Sequence, residues 1–68
     1  MPSAYALGTR VREQQPDGSW LTVMETETLG EAHAAVKALA AGLGLTEAQE
    51  AVKEVRARTE RHAQGERS

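Results

Sequence analysis

Residues 13–23 read EQQPDGSWLTV, and the fold turns on how their centre is read. Pro16 presets φ for the second position of a type I turn, Asp17 is a turn former, and Gly18 can take the left-handed conformation that closes a three-residue hairpin loop with a bulge. The stretch therefore predicts a β-hairpin with Gln15 opposite Ser19. It also puts the only Asp, Asp17, inside the turn and the only Trp, Trp20, two residues past its glycine. Turn chemistry accounts for Asp17. It does not account for Trp20.

Outward from the turn, residues 4–14, AYALGTRVREQ, alternate apolar and polar through Tyr5, Leu7, Thr9, Val11 and Glu13, the period of a half-buried strand. Residues 19–26, SWLTVMET, are rich in β-branched and aromatic types and form its partner. If the loop is Pro16–Gly18, this register sets Val11 opposite Val23, Glu13 opposite Leu21, Arg12 opposite Thr22 and Gln14 opposite Trp20. Opposed residues share a face and faces alternate. One face then carries Tyr5, Leu7, Val11, Leu21 and Val23, the natural partner of the helices. The other carries Arg10, Arg12, Gln14, Trp20, Thr22 and Met24.

After the hairpin the period changes. Thr28-Leu29-Gly30-Glu31 fits a capping box, in which the Thr28 hydroxyl accepts from the Glu31 amide and the Glu31 side chain reaches back to the Thr28 N–H. Leu29, Ala32, Val36, Leu39 and Leu43 follow at helical spacing, with Gly42 or Gly44 as the stop. Thr46-Glu47-Ala48-Gln49 repeats the capping pattern ahead of a thinner stripe through Ala48, Val52 and Val55. The expectation is one α+β domain over residues 1–62, in the order ββαα. Its strands are at about 4–14 and 19–26 and its helices at about 29–42 and 47–62, with 63–68 a frayed tail. So short a link makes the helices antiparallel neighbours or a sharply bent pair. The hairpin packs on the helices, and dimerisation is expected to complete the fold.

Length sharpens that last expectation. Sixty-eight residues lie near the lower limit at which one hydrophobic core suffices. With no Cys, disulfides and thiolate zinc sites are excluded, which leaves oligomerisation as the leading source of extra stability. A two-stranded sheet is also marginal by itself. The net charge of −2 is uneven: residues 1–24 are neutral, 25–54 carry −4 and 55–68 carry +2. A general nucleic-acid binder would show a basic excess. No apolar run approaches the roughly 20 residues that span a bilayer, and Met1–Tyr5 carries no basic leader region, so a soluble cytoplasmic protein without membrane contact is expected.

Chemistry-bearing residues are few. His33 and His62 stand far apart without Cys or an adjacent acidic set, a poor basis for a metal site. Ser3, Ser19 and Ser68 lie at a terminus or turn without a visible base, and the Gly42-Leu43-Gly44 spacing lacks the pattern that cradles phosphate. The Glu residues fall at helix starts and on solvent faces. No catalytic residue, cofactor or metal is expected, and the chain reads as a non-enzyme.

What remains is the hairpin face with Trp20. The indole could lie over the Arg12 stem, become buried between two copies, or wait for a dedicated partner. Two copies could pair their hairpins into a four-stranded sheet or stack them face to face. The binding surface expected is Arg10, Arg12, Trp20, Thr22 and Met24, with Trp20 the anchor, since buried Trp and Arg commonly dominate interfaces. The function expected is that of a small protein-binding or regulatory accessory protein working as a homodimer. A single-stranded nucleic-acid module using the same Arg and Trp residues is the first alternative, and a structural subunit of a larger assembly the second. A PDG hairpin followed by a capped TLGEA helix has a general look shared by many short bacterial and phage proteins, and no diagnostic motif accompanies it.

Overall fold

The computed structural model describes residues 3–65. It places three antiparallel strands, β1 (Ala4–Leu7), β2 (Arg10–Gln14) and β3 (Trp20–Glu25), ahead of two helices, α1 (Leu29–Ala40) and α2 (Leu45–Gly65). The strands form one sheet in the order β1-β2-β3. The architecture is α+β, as the patterning predicts, with one strand more than expected.

The extra strand comes from Gly8. Residues 4–14 are not one strand: Gly8 takes φ +64 and reverses the chain, so that Leu7 faces Arg10, Tyr5 faces Arg12 and Ala4 faces Glu13. With no positive φ at Thr9, Gly8-Thr9 is a two-residue hairpin turn with glycine first. The reversal changes parity. In a continuous strand Leu7 and Arg10 would point to opposite faces, whereas across the turn they share one. Tyr5 and Leu7 therefore leave the core side on which they were expected, and Ala4 and Ala6 replace them.

The expected turn at residues 15–18 is present. Gly18 N–H donates to Gln15 C=O at 2.8 Å, Gln15 N–H donates to Ser19 C=O at 2.7 Å, and Gly18 has φ +91. The Asp17 carboxylate accepts from both the amide and the hydroxyl of Ser19, at 2.9 and 2.6 Å. These bonds hold its pKa below the ordinary value, the hydroxyl contributing most. The expected register holds from Gln14 opposite Trp20 to Arg12 opposite Thr22 and then slips at a β-bulge. Beyond it Val11 faces Met24, leaving Val23 unpaired, and Val23 and Met24 both pack on the core. Met24 is thus not on the outer face, contrary to expectation.

Thr28 caps α1 as predicted: its backbone is extended and its hydroxyl accepts from Glu31 N–H at 3.2 Å. The return bond differs, because Glu31 accepts from Glu27 N–H at 3.0 Å rather than from Thr28. At the other end Gly42 N–H donates to Leu39 C=O and Leu43 N–H to Ala38 C=O, a Schellman motif that the +88 φ of Gly42 permits. Little chain is left between the helices, and α2 begins at once. Ala48 N–H donates to Gly44 C=O, which makes Gly44 the cap and puts Thr46 inside the first turn, so the second capping box is displaced. Helix α2 continues to Gly65 instead of 62, and residues 66–68 of the expected tail lie outside the described residues.

The helices run antiparallel, Gly30 beside Val55 and Glu31 bonded to Arg56. They lie on one side of the sheet, α1 beneath β1 and β2. The buried core consists of Ala4, Val11, Ala32, Ala35, Ala38, Leu39, Ala48 and Val52. The stripe expected on α1 is therefore displaced toward alanine: Leu29 and Leu43 are exposed, and Ala35 and Ala38 take their place. Small side chains let the helices approach closely, and they remove little apolar surface from water.

Candidate protein-binding face

With both helices on one side, the other side of the sheet is open. Parity puts Tyr5, Leu7, Arg10, Arg12, Gln14, Trp20 and Thr22 there, with Glu25 opposite Arg10. The Tyr5 and Trp20 rings meet in a T-shaped arrangement, centroids 4.8 Å apart and planes at 79°. Such pairs favour edge-to-face geometry because a positive ring edge meets a negative ring face. Each of the two residues is still 37% exposed, and Leu7 is 54% exposed.

Arg12 lies between these elements, opposite Tyr5 on one side and Thr22 on the other. Its Nη2 donates to the Trp20 carbonyl at 3.2 Å, while its Nε is buried without a hydrogen-bond partner. The side chain thus crosses β3 and fastens the backbone that carries the indole. Gln14 Nε2 supports the same end of the hairpin by donating to Gly18 C=O at 3.3 Å. At the other end Thr26 donates to Thr9 C=O through both its amide and its hydroxyl, at 2.8 and 2.9 Å, tying the Gly8 turn to the entry of α1.

Of the five surface residues expected, Arg10, Arg12, Trp20 and Thr22 share this face and Met24 does not. Tyr5 and Leu7, expected on the core side, are the residues of this face that sequence reasoning missed. The signal was Gly8-Thr9, a glycine-first pair able to make a two-residue turn.

Among the described residues the one buried charge lies elsewhere. Glu31 is almost fully buried, and Arg56 reaches it with Nε on Oε2 at 3.2 Å and Nη2 on Oε1 at 3.1 Å. This fork, followed by the Glu27 amide, holds the Glu31 carboxyl below the usual glutamate value, and Glu31 in turn raises the Arg56 pKa. All its partners are structural, and the pair clamps the start of α1 to the middle of α2. His33 is exposed, and His62 lies in the last turns of α2. Among the described residues no three His, Cys, Asp or Glu side chains come together as a metal ion would require.

The fold and the open face define a small α+β protein whose three-stranded sheet is covered by helices on one side only. Comparisons with protein-family models, with curated proteins and with solved structures found no match.

Proposed function

We propose that the chain is a small, non-enzymatic protein-binding accessory protein of regulatory kind that acts as a homodimer, with the outer sheet face as its contact surface. The observation that carries this reading is the placement of its apolar side chains. The core is mostly alanine, while Tyr5, Leu7 and Trp20 stand on the open sheet face, each more than a third exposed. A chain this small would bury them if they served only its own stability, since each large side chain removed from water contributes roughly 1.5–3 kcal/mol. Tyr5 and Trp20 are the anchors, Leu7 extends the apolar strip, and Arg10, Arg12 and Thr22 supply polar recognition around it. A cytoplasmic location belongs to the same proposal; among the described residues no helix is long and apolar enough to cross a membrane.

Arg10, Arg12 and Trp20 on one open face also suit a single strand of nucleic acid, with a base stacked on the indole and Arg near phosphate. Titrating the protein with a homopolymeric single-stranded oligonucleotide, followed by Trp20 emission, separates the classes. The protein-binding reading expects no saturable change at low or physiological salt. A saturable quench that weakens steeply as salt rises would overturn it in favour of phosphate contacts.

A further inference from the structure

Resting on the homodimer reading, we propose that two copies join by antiparallel pairing of their β1 strands, Tyr5 opposite the partner's Tyr5, into one continuous six-stranded sheet. The sheet has two free edges, β1 and β3, and they differ. Edge strands are normally protected by charge, proline or a bulge. The β3 edge carries the bulge at Val23, ends in Glu25, and has its Trp20 carbonyl already occupied by Arg12. The β1 edge, Ala4-Tyr5-Ala6-Leu7, has none of these devices.

Hydrogen-bond phase selects the register. Gln14 N–H donates to Ser3 C=O at 2.7 Å, so by antiparallel alternation Ser3, Tyr5 and Leu7 turn their backbone groups toward β2. Ala4 and Ala6 turn theirs to the open side. A two-fold axis through Tyr5 sets Ala4 opposite the partner's Ala6, and each such rung exchanges both of its bonds. The axis is perpendicular to the sheet, so helices stay on one side and the outer faces become continuous. Tyr5 then meets the partner's Tyr5 at a non-hydrogen-bonded position, where Cα atoms approach to about 4.5 Å. Since each tyrosine packs on its own Trp20, the junction becomes one aromatic row.

Charge favours a second copy at this edge. Stacking the outer faces would press Arg10 and Arg12 against their own counterparts, where Glu25 is the only acid opposite them in the register. Pairing at β1 brings no charged residue opposite another, because the strand has none.

The native chain has no Cys, so a single Tyr5→Cys change gives one thiol per copy. On mild oxidation it should yield a disulfide-linked dimer, while Ser19→Cys, at the far end of the hairpin, should not. In parallel, Ala6→Pro removes an outward N–H and spares the β1–β2 ladder, a position at which an edge strand accepts proline. It should remain folded by circular dichroism and weaken self-association by at least about tenfold, as loss of paired backbone bonds implies. If the wild-type chain dimerises but folded Ala6→Pro dimerises equally well, or Tyr5→Cys fails to cross-link, β1 pairing is overturned and the homodimer stands. Should Ala6→Pro not fold, the cysteine pair decides alone. A wild-type chain that is monomeric at every concentration overturns both readings.

Discussion

Tyr5 and Trp20 stand edge to face at 4.8 Å on the side of the sheet that the helices leave open. The contact exists because the Gly8 turn puts Tyr5 on the Arg12 side of the sheet. A double-mutant cycle with Tyr5→Ala and Trp20→Ala, read by urea denaturation under conditions that hold the oligomeric state constant, should give a coupling of about 0.5–1.5 kcal/mol. Additive effects would mean that the rings are neighbours without a shared energy.

Gly8 sets the parity of that face, and its φ of +64 is a conformation that side chains with a Cβ resist. Since nothing lies within 4 Å of where a Cβ would stand, the cost of Gly8→Ala is backbone cost alone, about 1–2 kcal/mol. Gly8→Asn should cost less, because asparagine visits this region more readily. Equal losses by chemical denaturation would argue that the turn is not left-handed in solution.

Thr28 supplies the cap of α1 through its hydroxyl. Thr28→Ala should lose about 1 kcal/mol and lower Tm by roughly 4–8 °C, whereas Thr28→Ser should stay near wild type. A Thr28→Ser variant as unstable as Thr28→Ala would point to the lost methyl and not to the cap.

Glu31 gives the fold an acid-sensitive clamp. Its carboxyl is held below the ordinary value of 4.5, chiefly by the Arg56 fork and next by the Glu27 amide. A depressed folded-state pKa means that the stabilisation is complete above the unfolded-state value and is lost as pH falls through the lower, folded one. Asp17 acts in the same direction through Ser19. Glu31→Gln should therefore be less stable than wild type at neutral pH and converge with it in acid. Parallel Tm curves through the acid limb would exclude Glu31 as a titrating contributor.

What could be read from the sequence was local. The Pro16-Asp17-Gly18 turn and the Thr28 cap depend on a few adjacent residues, and the structure has both where they were expected. The Gly8 turn was hidden because Tyr5, Leu7, Thr9, Val11 and Glu13 keep a two-residue period straight through it, so alternation alone gives the wrong parity. Val23 bulges where the sheet meets the helices, a tertiary requirement with no signature in SWLTVMET. Leu29 and Leu43 keep the helical period yet stay exposed, while the small residues of α1 that permit close helix approach, Ala32, Ala35 and Ala38, are the ones in the core. The Glu31 bond to Arg56 joins two helices and has no local signal. Of the candidate face, Arg10, Arg12, Trp20 and Thr22 were accessible to pattern reading, while Tyr5, Leu7 and Met24 depended on the turn and the bulge.

Self-association is the central claim, because Tyr5, Leu7 and Trp20 stand exposed on the one sheet face that the helices leave open. Molar mass by light scattering across a concentration series, with Tm recorded at each point, tests it most directly. A homodimer should show a mass near twice the 7.3 kDa of one chain, falling toward it on dilution, and a Tm that rises with concentration. A mass of one chain at every concentration, with a Tm that does not move, would contradict it.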